Sequence, residues 1–396
     1  MSSNLQDTER PGAAAAATTG AGAAARPPVR RTSLDVLRGG LLAFMLFTPP
    51  FRLPGTYPFL EHVDWLGWSA SDLIFPLFLF TSGGSLGYML RRGITARKAN
   101  RLVRRLLALL VLGLLYNAIG SGFDLSTLRF TGVLQLIGVS GFLGAVAVTL
   151  IGRVAPDRPA VGIGVALGAT WVGYAALMAL ADCWQVGEGC SPFFGVDRGV
   201  LGASHLYRQG VGYDPEGLVV MIAASWIVLV GYLATMMVRD AEGPRLRTRA
   251  GWMAMAGVAS VALAFALSGL SPLSKRVMSP TFMLLAVGVG LVAYGLLVVF
   301  FDVEVRGRGP LAARAVAAWP FTTLGWNALI VYMGERIAVV AAVRTPVGDQ
   351  SAADALLDAL AAGYGDRAGL LAGLLLVALL LTITGVMRAL DWRVAL

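Results

Sequence analysis

Residues 61–80, EHVDWLGWSASDLIFPLFLF, place one of only two histidines in 396 residues, His62, between Glu61 and Asp64, with Asp72 further along. An imidazole ordinarily titrates at about pH 6.5, so it can take or give a proton at neutral pH. A neighbouring carboxylate fixes which ring nitrogen carries hydrogen. That combination is general-base chemistry. The same residues also read as an interfacial histidine beside Trp65 and Trp68, at the level where aromatic side chains collect on a bilayer surface. Residue types alone leave both readings open. Among the three carboxylates Asp72 is the preferred partner, because a helix start holds a side chain more rigidly than a loop does. An acid there also serves as cap and dipole partner.

Other polar residues are fewer and plainer. Asp35 and Arg38 stand three apart in SLDVLRGG, close enough to pair on one helix, and an arginine at such a place could also meet a phosphate. Asn117, Gln135, Asn327 and Glu335 fall in or beside apolar runs. Helix–helix hydrogen bonding is the ordinary role of such residues, and together they imply a polar interior. Cys183 and Cys190, in CWQVGEGC, could close a small disulfide loop in an oxidising compartment. No CxxC or HExxH spacing occurs, so no metal site is expected. Glycines within apolar runs, such as Gly288 and Gly290, read as close helix packing and not as nucleotide loops.

The elements that must position these groups follow from composition. The chain is 57% hydrophobic and 14% charged, with mean hydropathy +0.71, too apolar for a soluble globular protein. Its apolar runs are continuous, so the expected fold is all-α, a polytopic helical membrane protein. Windows of about 20 residues predict about ten transmembrane helices, near 36–52, 72–90, 102–119, 132–151, 159–181, 217–237, 251–269, 281–300, 320–340 and 368–389. Residues 1–30, rich in Ala, Gly and Pro, read as a disordered cytoplasmic tail, and 31–396 as a single membrane domain. They lack the Leu-rich core of a cleaved signal. With that tail inside, 23 of the 32 basic residues fall on inner segments, which sets the orientation and predicts a plasma-membrane protein. The net charge of +9 is thus topological, and nucleic acid is not an expected partner. Both histidines fall on the outer face.

Six blocks then carry a resemblance: SLDVLRGGLLAFML, HVDWLGWSASDLIFPLFLF, RFTGVLQLIGV, HLYRQGVGYDPEGLV, SPLSKRVMSPTFML and PFTTLGWNALIVYMGE. In this order, from about residue 32 to 340, the chain resembles the heparan-α-glucosaminide N-acetyltransferase family and its bacterial relatives. The resemblance implies a multispan acyltransferase that takes an acetyl group from cytoplasmic acetyl-CoA and delivers it to a sugar amine across the membrane. It implies that His62, in HVDW, is the active histidine. One departure stands out. The family's asparagine near the outer end of the first span has no counterpart in MLFTPPFRLPG, which offers Thr48 and Pro49, and the large lumenal N-terminal domain is missing. The expected acceptor is therefore an envelope sugar or glycosylated metabolite and not heparan.

On this reading His62 is the base, or accepts the acetyl group itself, and Asp72 orients it. Arg38, with Arg91, Arg92, Arg101, Arg104 and Arg105, would meet the phosphates of CoA. His205, Asp214 and Glu216, in HLYRQGVGYDPEG, and Asn327 are the acceptor-side candidates, although Asp-Pro turn formation explains the acids as well. The lipid bilayer and a sugar or glycosylated small molecule are the expected partners, and homodimerisation is left open. The rival reading is a secondary transporter, which such a bundle would also suit.

Overall fold

The computed structural model describes residues 31–48, 57–181, 189–304 and 307–394. The expected tail, Pro49 and Cys183 lie outside the described residues. Thirteen α-helices make up most of the described chain: α1 Thr32–Phe47, α2 Ile74–Met89, α3 Ala96–Ser121, α4 Val133–Val154, α5 Pro159–Leu180, α6 Phe194–Leu201, α7 Leu218–Val238, α8 Gly243–Ala266, α9 Pro280–Leu297, α10 Arg308–Trp326, α11 Ala328–Arg344, α12 Ala352–Tyr364 and α13 Ala368–Ala389. The only strands described form a two-residue hairpin, Pro346–Val347 against Gln350–Ser351. This is the helical membrane bundle that the hydropathy predicts.

Local signals start and stop the helices where chemistry requires. The Thr95 side chain accepts from Lys98 N at the head of α3, and Gly122, at φ 73°, ends it in the left-handed conformation that glycine adopts most readily. Ser279 caps α9 and Pro280 follows at its first turn, where the missing N–H costs nothing. The carboxylate of Asp302, just past α9, accepts from Thr32 N (2.9 Å), Ser33 N (3.3 Å) and Ser33 Oγ. It therefore satisfies the first turn of α1 from a distant part of the chain.

α2, α7 and α9 form the centre, with Phe80, Ile227, Phe282 and Tyr294 essentially inaccessible. Backbones approach closely there. A Cβ on Gly83 would lie 1.9 Å from Val228 O, and one on Gly231 2.1 Å from Phe80 O, so α2 and α7 meet through glycine on both sides. Gly288 sits against Gly257 of α8 in the same way, consistent with packing and not with nucleotide binding. A second cluster joins Leu42 and Leu46 of α1 to Leu324, Val331 and Leu380.

Every predicted window contains helix, but the windows and the helices are not one to one. Among the described residues seven helical segments are long and apolar enough to cross a membrane, or up to eight if the bent pair α10–α11 is one span. α1 and α2 have 16 residues each, fewer than the roughly 20 of a full span, although the 3₁₀ turn Ser71–Leu73 leads directly into α2. The window at 320–340 straddles a 73° break at Asn327. Segments expected on one side gather at one end of the bundle: Gly67 N donates to Leu273 O (2.7 Å) and Phe130 N to His205 O (3.0 Å). At the opposite end Arg31 donates to Val238 O and Ala241 O, and Arg91 pairs with Asp240 at 2.7 Å.

Candidate active site

Asp72 lies in the turn before α2, almost fully buried. It does not cap that helix; its carboxylate turns back to the preceding segment, where Oδ2 accepts from Val63 N (3.3 Å), Ser69 N (3.1 Å) and Ser69 Oγ (3.0 Å). Oδ1 lies 2.8 Å from His62 Nδ1 and 3.2 Å from Lys275 Nζ. Burial pushes the Asp72 carboxyl up, but the His62 hydrogen bond and the Lys275 charge outweigh it and hold the group well below the usual carboxylate range. An ionised Asp72 needs a donor at Nδ1, which leaves Nε2 with its lone pair. Lys275 Nζ is 3.3 Å from the same Nδ1, so it donates to Asp72 and not to the ring. Burial pulls the Lys275 ammonium below its ordinary value, against the opposing charges of Asp72 and Glu216.

His62 is half-exposed and opens on a cavity of about 560 Å³ lined also by Thr48, Arg129, Tyr207, Glu216 and Lys275. Its lining also includes Tyr116, Tyr332, Glu335 and Arg336. Tyr116 and Tyr332 lie ring to ring, 4.8 Å between centroids, and Tyr116 Oη donates to Glu335 at 3.4 Å. Three guanidinium groups, of Arg129, Arg208 and Arg276, surround the Tyr207 ring within 4.9–5.9 Å. Aromatic faces, carboxylates and cations thus share one chamber.

A second cavity, of about 300 Å³, is lined by Arg38, Ser82, Ser85, Arg105, Trp326 and Arg393 among others. Phe78 and Tyr332 line both cavities, so the two share a wall. Arg38 and Thr48 are ten positions apart along α1 and its C-cap, which separates the two levels by about 15 Å at helical rise.

The other predicted residues divide by location. Arg38 and Arg105 line the smaller cavity; Arg38 keeps Asp35 at 3.5 Å and Ser85 Oγ at 2.5 Å. Arg92, Arg101 and Arg104 are exposed away from both cavities, and Arg91 is tied to Asp240. Glu216 lines the larger cavity, whereas His205 and Asp214 stand behind it. His205 stacks on Phe130 at 4.1 Å, with Nδ1 2.8 Å from Leu128 O. Buried Asp214 receives Arg129 Nη2 (2.5 Å), Thr131 Oγ1 (2.6 Å) and Tyr207 N (2.9 Å), and so positions two residues that face the cavity. Asn327 is fully buried and lines neither cavity; its amide binds the backbone of Trp392 and Val394. Cys190 is disulfide-bonded. Among the described residues no three His, Cys, Asp or Glu side chains gather as metal ligands. Sequence reasoning missed Lys275, although it is one of two lysines beside 30 arginines, and its scarcity was the available signal.

A family model for the catalytic region of heparan-alpha-glucosaminide N-acetyltransferase matches residues 30–181, the part that contributes His62, Asp72, Arg38 and Arg129. Over this stretch the chain is similar to the heparan-alpha-glucosaminide N-acetyltransferases. The enzyme of that name from Homo sapiens is 26% identical across 78% of this chain and 53% of its own length. The Mus musculus enzyme is 24% identical across 79% and 55%. The chain therefore spans about half the length of the curated heparan-alpha-glucosaminide N-acetyltransferases it matches.

Proposed function

We propose that this chain is a membrane acetyltransferase that moves an acetyl group from acetyl-CoA to an amine or hydroxyl of a sugar or glycosylated acceptor. The donor enters through the smaller cavity, and the acceptor meets it in the larger one. The observation that carries this reading is the His62–Asp72 pair opening on a chamber that shares a wall with a cation-lined second chamber. Pantetheine reaches about as far as four or five extended residues, or roughly 15 Å, which matches the separation of the two levels. Acetyl-CoA thus fits the residues present, with its phosphates on the arginine side. The distribution of arginines supports that side as cytoplasmic, in what we take to be the plasma membrane.

In the transfer, His62 Nε2 takes the proton of the acceptor nitrogen or oxygen as that atom bonds to the acyl carbon. The carbon–sulfur bond breaks, and the same proton leaves with sulfur as the free thiol of CoA. Asp72 holds the ring in the required tautomer and steadies the imidazolium that forms. Tyrosine faces and the Glu216 and Glu335 carboxylates suit a hydroxyl-rich ring in the larger chamber.

The test is thiol release from acetyl-CoA by purified full-length chain supplied with amino sugars. His62→Ala should lower the rate by about 10²–10⁴-fold without loss of folded protein. A chain that releases no thiol with any amine or hydroxyl acceptor, yet moves a solute across liposomes, is a transporter. Acetylated His62 accumulating without acceptor would replace the base role with a covalent one.

A further inference from the structure

The two cavities differ in charge. Glu61, Glu216, Glu335 and Asp366 offset the cations of the larger one, whereas the described lining of the smaller one holds Arg38, Arg105 and Arg393 and no carboxylate. Trp326 lines it too, and its buried indole N–H has no partner among the described residues. Such a surface offers chiefly donors and calls for an acceptor-rich anion.

Arg393 is held there by an unusual device. It follows α13 in an irregular segment, Asp391–Val394, with no helix or strand of its own. Buried Asn327, at the break between α10 and α11, donates from Nδ2 to Trp392 O (2.9 Å) and accepts at Oδ1 from Val394 N (2.9 Å). One amide therefore brackets Arg393 from both sides, as a paired strand would. The guanidinium Cζ lies 4.9 Å from the Trp326 ring centroid, a cation–π contact that sets its direction. Apart from a longer contact from Nδ2 to Met387 Sδ at 3.8 Å, this buried amide serves the residues either side of one exposed arginine, which points to that arginine.

We propose that Arg393, clamped by Asn327, completes with Arg38 and Arg105 a phosphate-binding site for the diphosphate end of the acyl-CoA donor. This rests on the donor reading above and adds to it a ligand from the opposite end of the chain, with Asn327 as its positioning residue. The break in the α10–α11 span exists, on this view, to free the Asn327 side chain and backbone for the clamp.

The experiment uses full-length chain in neutral phosphatidylcholine nanodiscs and measures affinity for CoA and for pantetheine, which lacks the phosphates. Arg393→Gln should weaken CoA binding roughly ten- to 100-fold and leave pantetheine binding unchanged. Arg393→Lys should recover only part of the loss. Asn327→Ala should lose as much, with no further loss in the double variant. Should Asn327→Ala not fold, Val394→Pro deletes the N–H that Asn327 accepts and leaves the core intact; it should give the same loss. Wild-type CoA affinity in Arg393→Gln overturns the inference and leaves the donor reading standing. An effect of Arg393→Gln confined to nanodiscs with anionic lipid also overturns it, in favour of a lipid headgroup. No CoA binding by wild-type protein sinks the donor reading and this site with it.

Discussion

Asp72 Oδ1 is shared between His62 Nδ1 at 2.8 Å and the Lys275 ammonium at 3.2 Å. On the proposed mechanism Lys275 helps to fix the carboxylate that orients the ring, so Lys275→Met should lower turnover by about tenfold, the worth of one charge-assisted hydrogen bond, and Lys275→Arg should recover part of it. Wild-type thiol release by folded Lys275→Met protein would reduce Lys275 to a structural ion pair. Asp72 also bears on acid stability. Its folded-state pKa is depressed, so the stability it contributes is present above the ordinary carboxylate value and is lost only as pH falls well below it. Acid unfolding followed by ellipticity should accordingly lose the Asp72 contribution only well below the ordinary carboxylate range, and Asp72→Asn should remove that part of the acid dependence. At this scale the sequence was legible where neighbours are local: His62 is scarce, and Asp72 lies on the helix start that follows it. Lys275 is 203 residues from Asp72, and no local pattern joins them. Asn327 was read as acceptor-facing because intramembrane amides mark polar paths, but its hydrogen bonds go to Trp392 and Val394 instead.

Helices were the most legible elements, since a continuous apolar run has few alternatives in lipid. The break at Asn327 escaped because hydropathy averages over a window and does not register a backbone that stops and restarts. The short helices α6 and α12 escaped because they lie in the segments between apolar runs. α6 has a measurable role. Its Asp197 is almost fully buried and accepts from Leu218 N at 2.8 Å, capping α7 from outside. Burial, reinforced by the charge of Asp214 and opposed by the Leu218 bond, pushes this carboxyl up to about 6. A raised folded-state value means that its contribution to stability is fully present below about pH 4 and is lost as pH rises through about 6. Asp197→Asn keeps a carbonyl acceptor for Leu218 and cannot ionise. It should gain on the order of 2–3 kcal/mol over wild type above pH 7 and show little difference near about pH 3.5, read as melting temperature in detergent. The same gap at both pH values would remove the ionisation argument. Packing gives a companion test: Gly83→Ala brings a methyl to 1.9 Å from Val228 O, and overpacking of this kind typically costs about 1–3 kcal/mol. A Gly83→Ala protein melting with wild type would mean that α2 and α7 can separate at no cost.

For the molecule as a whole, the decisive feature is the wall between the two chambers. Phe78 of α2 and Tyr332 of α11 line both, so on the proposed donor path a thioester would pass them to reach His62. Tyr332 is backed by Tyr116 at 4.8 Å, which leaves Phe78 the more adjustable of the two. If the pantetheine arm threads between them, a larger ring at 78 should obstruct the arm and spare the nucleotide site. Phe78→Trp is then expected to lower turnover at least tenfold while CoA affinity stays within about threefold, because the interaction lost is one made only on the way to the transition state. Tyr332→Phe, which keeps the ring and removes the hydroxyl, should remain close to wild type and controls for changes at this site that do not narrow it. Circular dichroism and melting temperature on the same preparations separate obstruction from unfolding, since overpacking can also destabilise by about 1–3 kcal/mol. A folded Phe78→Trp protein that turns over acetyl-CoA at the wild-type rate would show that the arm takes another route. The shared wall would then be packing alone, and the donor would have to reach His62 through the mouth of the larger chamber.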